Sequence, residues 1–447
     1  MAKEGRIRKV NRQDWPGFLR RVIPAPVWQA FLGQVVAGGD PRVRWTPKYV
    51  LLCWIAMGWS VQRHLNDRFR EGRELLAVLF ARRQRPGGSY WGLVKATQRL
   101  RGHSFQEFWA CLRRGIPKRL RSLWTWCGWT VMAVDGSRVG APRTRDNQRG
   151  LGRAGREKSG PQWWITWLVH LPSGLIWDWR QGPGTSSERE HLRQMLPGLP
   201  ANTLLVADAG FGGFDLCWTL LQSGVDFLIR CASNVTLLSD ASWSRIERQG
   251  QHQLVYLWPQ NRRSRLPLRL RLIVLKRSGK RVYLLTNVLE SERLSRAWAG
   301  ELYAARWGVE TDYRALKQTL ERRRVLARTP MVGALELAGN LLGLALLLLQ
   351  AAVAQGARVY RVSVAGALRT LRQALECTRW RQSSHRFVAA LRAALRDDYH
   401  RRRSKRARDW PHKKKDPPPR PPNLRTPTQR ENAFIQAVEL YYALKLG

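Results

Sequence analysis

The spacing of apolar positions changes along the chain and separates helical stretches from sheet-forming ones. Up to about residue 125, apolar residues recur at mixed three- and four-residue spacing, as in Tyr49–Met57. Breaks fall at Pro47 and at Pro86–Ser89, so this region is predicted to be a set of helices. Two later apolar runs flank Pro172–Gly174, a pattern that predicts a β-hairpin.

The sheet-forming stretch continues in an order typical of mixed α/β folds. From about residue 126 to 231 the pattern predicts strand, hairpin, helix, strand, helix and strand. Short alternating runs between about 235 and 287 predict an inserted β subdomain. Helical spacing returns from about Ser291 to Arg324 and continues to about Arg396.

The most apolar run, Leu341–Ala354, is 14 residues long and contains Gln350. A bilayer span needs roughly 18–20 apolar residues. The run is therefore predicted to be a buried core helix, and no membrane partner is expected.

Charge points to a polyanionic partner. The 447 residues include 78 Lys and Arg against 32 Asp and Glu, a formal net charge of +46. Hydrophobic residues make up 44% of the chain, which excludes a disordered basic tail. Nucleic acid is the commonest partner for such a charge. The six cysteines are scattered without a C-x-x-C pair, so a reducing compartment is expected, and the N-terminus lacks the apolar segment of a signal peptide.

Two aspartates stand at the ends of predicted buried strands. Asp135 follows TVMAV and Asp208 follows TLLVA. A carboxylate in such a place is costly unless it binds a metal, accepts hydrogen bonds or meets a base. Adjacent strands would bring the two together as hard oxygen ligands suited to Mg²⁺ or Mn²⁺. The alternative is that each aspartate only begins a turn.

The segment after the insertion carries the strongest pattern. Tyr303, Arg306, Glu310 and Lys317 fall within roughly 60° of one face if the helix is regular. A phenol, a guanidinium, a carboxylate and an ammonium on one stripe suit a metal ligand flanked by phosphate-binding groups. The alternative is a solvated face with an ordinary i,i+4 ion pair.

These residues together resemble the DDE transposases of the insertion-sequence-four group, whose signature is Tyr-x2-Arg-x3-Glu-x6-Lys. Asp135-Gly-Ser is similar to the first catalytic aspartate motif of that family, and Asp208-Ala-Gly-Phe to the second. The resemblance covers about residues 125 to 350. It implies an α/β fold, namely an RNase H-like catalytic core with an inserted β subdomain, flanked by helical N- and C-terminal regions.

The resemblance also implies roles for the residues. Asp135, Asp208 and Glu310 would be catalytic and would hold two divalent ions, Mg²⁺ or Mn²⁺. Tyr303, Arg306 and Lys317 would bind DNA. The substrate would be double-stranded DNA, both the inverted-repeat ends of a transposon and its target, cut and rejoined by a homodimer in the bacterial cytoplasm, at the nucleoid.

The expected domain organisation follows from both lines of reasoning. It comprises a helical, basic DNA-binding region, a catalytic core with its insertion, a helical extension, a basic Pro-rich linker and a C-terminal helix (1–125, 126–350 with about 235–287 inserted, 351–399, 400–430 and 431–447). Two alternatives remain: a captured transposase that only binds DNA, and another RNase H-like nuclease such as a junction resolvase.

Overall fold

The computed structural model describes most of the chain. It covers residues 14–35, 43–80, 85–100, 104–152, 160–239, 253–277, 280–306, 308–356, 362–383, 385–396 and 420–446. Most of the predicted Pro-rich linker lies outside these residues, as does the side chain of Glu310.

The described elements confirm the alternation expected from the sequence. The helices are α1 (Trp15–Val22), α2 (Ala25–Val35), α3 (Pro47–Trp59), α4 (Leu65–Leu79), α5 (Tyr90–Arg99), α6 (Ser104–Arg113), α7 (Ile116–Arg119), α8 (Arg145–Leu151), α9 (Glu188–Met195), α10 (Phe214–Gln222), α11 (Arg296–Ala305), α12 (Gly308–Arg314), α13 (Pro330–Gln355), α14 (Val364–Arg379), α15 (Phe387–Ala393) and α16 (Gln429–Leu446). The strands are β1 (Thr130–Gly140), β2 (Gln162–His170), β3 (Leu175–Pro183), β4 (Thr203–Ala207), β5 (Asp226–Arg230), β6 (Thr236–Leu238), β7 (Gln253–Leu257), β8 (Leu268–Arg277), β9 (Lys280–Thr286) and β10 (Asn423–Arg425).

The chain divides into two compact units, each made of three separate segments. The first unit contains residues 1–124, 136–187 and 310–397, and the second contains 125–135, 188–309 and 398–447. Strand β1 begins in the second unit and ends in the first.

The first unit is built around the apolar helix α13. This is the one described helix long and apolar enough to cross a membrane, but 94% of its most apolar window is buried inside the protein. It packs on α3 at close range: a Cβ on Gly58 would lie 3.2 Å from the carbonyl oxygen of Gly339. The indole Nε1 of Trp15, in α1, donates to Oε1 of buried Gln350 at 3.1 Å. The prediction of a core helix is confirmed.

The predicted hairpin also lies in the first unit. Strands β2 and β3 pair antiparallel through the turn that contains Gly174, whose φ of +64° suits a residue without a Cβ. Strand β1 is the other neighbour of β2.

The second unit is a sheet with the strand order β10-β6-β7-β8-β9-β5-β4-β1. Strands β1, β4 and β5 are parallel, and β5 pairs antiparallel with β9. The neighbours β3-β2-β1 and β1-β4-β5 confirm the α/β class with an RNase H-like core. The predicted β insertion is present as β6–β9, and its last strand continues the core sheet rather than forming a separate sheet.

The C-terminal segment docks on the insertion within the second unit. Strand β10 adds to the edge strand β6 in parallel. From α16, Phe434 packs on the ring of Trp258 with centroids 5.0 Å apart, and Glu439 accepts a hydrogen bond from the hydroxyl of Tyr256 at 2.6 Å. The C-terminal helix is thus tied to this chain's own sheet.

Candidate active site

The site begins in the second unit, where the strands β4 and β5 end beside the middle of the parallel strand β1. Strand β1 continues beyond Asp135 to Gly140, so the expectation that this aspartate ends its strand was wrong. The register pairs Ala133 with Val206 across β1 and β4, and continuing it by two residues sets Asp135 opposite Asp208. Paired residues of adjacent strands point to the same face, about 4.8 Å apart along the hydrogen-bonding direction. By this register, the two aspartates singled out from the sequence are neighbours on the same face of the sheet.

The third strand adds a cation that the sequence analysis missed. Strand β5 pairs Ile229 with Ala207, so the next residue, Arg230, stands opposite Asp208. Its Nη1 lies 3.5 Å from Oδ1 of that aspartate. The signal available in the sequence was an arginine ending a buried strand, VDFLIR, at the edge where the two aspartates were expected.

Helix α11 supplies the next layer of the site. Tyr303 is 8% exposed, and its hydroxyl donates to Oδ1 of Asp208 at 3.1 Å. Arg306 follows the helix and is 3% exposed, with its guanidinium carbon 5.3 Å from the centre of the Tyr303 ring. Two members of the predicted stripe thus stand against the second aspartate.

The electrostatics of Asp208 favour the carboxylate. Burial alone would raise its pKa, but the backbone N–H of Ala209, the charges of Arg306 and Arg230 and the Tyr303 hydroxyl together hold the pKa below its ordinary value. Burial and the neighbouring carboxylate raise the pKa of Tyr303 to about 12. At neutral pH the tyrosine is therefore a hydrogen-bond donor and the aspartate is ionised.

The rest of the predicted stripe lies in the first unit and is not part of one regular helix. Helix α11 ends at Ala305, α12 begins at Gly308, and Ala315–Thr319 forms a π-helical turn. The expectation of a single α-helical face over Ser291–Arg324 was wrong, because the wider π turn breaks the 100° spacing and the chain leaves the helix at Leu320.

Lys317 sits in that π turn and has a defined contact. Its Nζ donates to Oγ of Ser137 at 2.6 Å, and Ser137 is two residues beyond Asp135 on β1. Glu310 belongs to α12, and its side chain is outside the described residues. The structure thus brings Tyr303 and Arg306 to Asp208 and joins Lys317 to Ser137.

The donor set fits a hard divalent cation. Asp135 and Asp208 offer carboxylate oxygens from adjacent strands, the ligand type that Mg²⁺ and Mn²⁺ prefer. Among the described side chains no group of three or more His, Cys, Asp or Glu is assembled for a metal, a set that does not include Glu310. A further carboxylate would be needed to complete the three-carboxylate set expected from the sequence.

The segment that contains the candidate site is similar to a known protein family. Residues 126–345 match the family model described as a transposase DDE domain. This segment belongs to the DDE transposase family. All six site residues predicted from the sequence lie inside the transposase domain.

Two individual proteins are similar to this chain. The chain is 29% identical over 216 residues to the curated transposase InsG for insertion sequence element IS4 of Escherichia coli strain K12, covering 46% of this chain and 48% of that one. The chain therefore spans about half the length of this relative. A solved structure, the piggyBac transposase synaptic complex with hairpin DNA, aligns over 89% of this chain and 88% of its own, with a TM-score of 0.41 and 14% identity.

Proposed function

We propose that the protein is an active transposase that cuts DNA strands at the ends of a mobile element and joins them to target DNA. The observation that carries the proposal is the parallel register of β1 and β4 inside the DDE transposase domain, which sets Asp135 opposite Asp208 when it is continued by two residues. A transposon-end phosphodiester is the substrate that matches this domain and a chain of net charge +46.

Asp135, Asp208 and Glu310 would hold the divalent ions, two in the reading that the family resemblance implies. The case for Glu310 is its position in the Tyr303–Lys317 pattern. When bound, the ions supply Lewis-acid stabilisation for the attacking oxygen and for the leaving 3′ oxygen. Magnesium and manganese both suit carboxylate ligands.

The chain's own side chains then have distinct tasks. The Tyr303 hydroxyl and the charge of Arg230 hold the Asp208 carboxylate ionised and oriented. Arg306 adds buried positive charge beside the same carboxylate. Lys317, fixed on Ser137, provides a point charge for a DNA phosphate. Catalysis of this kind depends on positioning and charge stabilisation more than on covalent chemistry.

The wider reading is cut-and-paste transposition at inverted repeats by a homodimer. Two element ends must be brought together before joining, and a symmetric dimer is the simplest assembly that does this. The helical region before residue 125 is the proposed main DNA-binding part. The proposed setting is the bacterial cytoplasm, where the chromosome is the substrate.

The test is a cleavage assay on duplex DNA carrying the sequences that flank the gene. The wild-type protein should nick at defined positions with Mg²⁺ or Mn²⁺ and not with EDTA. Asp135→Asn, Asp208→Asn and Glu310→Gln should each abolish nicking. Asp215→Asn is the matched control. The Asp215 carboxylate, in α10, forms an ion pair with Arg262 at 2.8 Å and is not one of the predicted site residues.

The outcomes separate the candidate functions. Site-specific nicks that need metal and all three carboxylates support the transposase. Tight, salt-sensitive binding without cleavage by the wild type would instead identify a captured transposase that only binds DNA. Cleavage directed to branched junctions rather than to element ends would identify a resolvase.

A further inference from the structure

A cavity in the helical part of the first unit has the chemistry of an anion site. Its volume is about 390 Å³, and it lies between α4 and the loop that leads into α5. Its lining includes Asn66, Arg70, Arg73, Ser89, Tyr90 and Trp91. None of these residues belongs to the candidate active site.

The two arginines of α4, Arg70 and Arg73, both line the cavity. They are three residues apart, so their side chains are neighbours on the helix surface. The acids Glu71 and Glu74 of the same helix both contact Arg379. Both glutamates are therefore engaged by another arginine, while Arg70 and Arg73 line the cavity.

These arginines are only weakly compensated by acids. Arg70 has a largely exposed side chain and, in the described part of the chain, forms a 3.7 Å ion pair with exposed Asp67. The Nε atom of Arg73 is buried and has no hydrogen-bond partner in the described part of the chain. The guanidinium of Arg73 lines the cavity and has donor capacity for an anion there.

An aromatic layer gives the cavity a rigid wall. The rings of Phe69 and Tyr90 are 5.9 Å apart, and Phe69 also packs on Trp45. Trp45 is 7% exposed, and its indole Nε1 has no partner in the described part of the chain. That nitrogen lies against Gly87, where a Cβ would come within 2.3 Å of it. The loop can approach the indole only because residue 87 is a glycine.

The loop ends at the N-terminus of α5 and leaves an aromatic face in solvent. The Oγ of Ser89 accepts the backbone N–H of Gly92 at 3.0 Å, so one amide of the first turn is capped. The remaining amides point out of the helix end, where negative charge is favoured. Trp91, in the same turn, is 58% exposed, an uncommon position for a tryptophan unless it has a partner.

From these observations we infer that the cavity binds one backbone phosphate of duplex DNA, held by Arg70 and Arg73, with Trp91 packed against the adjoining sugar. The inference rests on the proposed DNA substrate and adds a contact far along the chain from the catalytic carboxylates. Phosphate contacts of this kind position a protein on DNA without reading its sequence.

The test measures the salt dependence of DNA binding by the full-length protein, with EDTA present so that no strand is cut. Each phosphate contact contributes about 0.9 to the slope of log affinity against log salt. Arg70→Gln with Arg73→Gln should lower the slope by about that amount. Arg369→Gln with Arg386→Gln, two exposed charges outside the proposed DNA-binding region, is the matched control and should leave the slope unchanged.

Two further variants identify the contact. Arg70→Lys with Arg73→Lys keeps both charges and should retain the wild-type slope, which separates a lost contact from a misfolded protein. Trp91→Ala should weaken binding several-fold without changing the slope, because the indole contact releases no ions. Competition with inorganic phosphate distinguishes a DNA phosphate from a free anion.

Several results would overturn the inference. Equal slopes for the glutamine pair and the wild type, or equal losses for the glutamine pair and its control, would overturn the inference. Binding of inorganic phosphate by the wild type but not by the glutamine pair, with DNA affinity equal in the two proteins, would also overturn it, in favour of a free-anion site. A wild-type protein that shows no salt-dependent DNA binding would refute the proposed function together with this site.

Discussion

Removal of the Arg322 guanidinium should destabilise the first unit strongly, with little change in side-chain volume. It is 3% exposed and donates to the carbonyl oxygens of Ser60 at 2.7 Å, Gly58 at 3.3 Å and Met57 at 3.4 Å. These carbonyls belong to the end of α3, where helical carbonyls lack partners within the helix. Burial lowers the pKa of Arg322 to about 9, so the side chain is still a cation at neutral pH.

The cost of Arg322→Met follows from that geometry. Methionine keeps much of the apolar volume, so the cavity left behind is small. The loss is then the hydrogen bonds to α3 and the positive charge facing buried Glu336. Removing one partner from a buried charge network costs about 3–5 kcal/mol. For a folded unit of this size the melting temperature should fall by roughly 6–15 °C.

Thermal unfolding followed by circular dichroism measures this loss. The neighbouring Arg323→Met is the matched control, because the Arg323 side chain is exposed and its substitution should change stability by under about 0.5 kcal/mol. The reasoning is refuted if the two variants melt together, or if Arg322→Met stays within about 1 kcal/mol of the wild type.

Three further changes test separate contacts. Tyr303→Phe removes a donor that helps to hold the pKa of Asp208 low, so the acid limb of the cleavage rate should move to higher pH; an unchanged limb would contradict this. Trp15→Phe leaves the buried Gln350 amide without its indole donor and should cost about 1–3 kcal/mol in a denaturant titration. The arginine partners of Glu431 lower its pKa to about 2. The ionised carboxylate therefore stabilises the fold at pH values above its ordinary pKa, and this contribution is lost as the pH falls towards 2. Proteolysis should therefore release the C-terminal segment more readily in acid, and Glu431→Gln should show that sensitivity already at neutral pH.

Local sequence signals were sufficient to predict the parts of the structure that depend on residues close together in the chain. The hairpin was predictable because Gly174 allows a positive φ between two apolar runs. The core helix α13 was predictable because its apolar residues surround the whole helix. Asp135 and Asp208 stood out because each follows a run of apolar strand residues, where a carboxylate is costly without a partner.

Contacts between distant parts of the chain were not predictable in this way. Arg230 ends its strand like many surface arginines, and only the β4–β5 register sets it beside Asp208. The pairing of β9 with β5, which makes the insertion part of the core sheet, has no local signal either. The π turn at Ala315–Thr319 changed the angular spacing of the side chains from the regular 100° per residue. Such a turn depends on tertiary packing rather than on helix propensity, so the sequence did not predict it.

The central claim is that the Asp135–Asp208 pair performs metal-dependent strand cleavage rather than DNA binding alone. The most direct measurement follows affinity and cleavage together on the same end-bearing duplex in Mg²⁺, for the wild type and for Asp208→Asn. The account predicts that the variant binds the duplex at least as tightly as the wild type, since a negative charge has been removed, and that it makes no nicks. Cleavage by Asp208→Asn at the wild-type rate would contradict it.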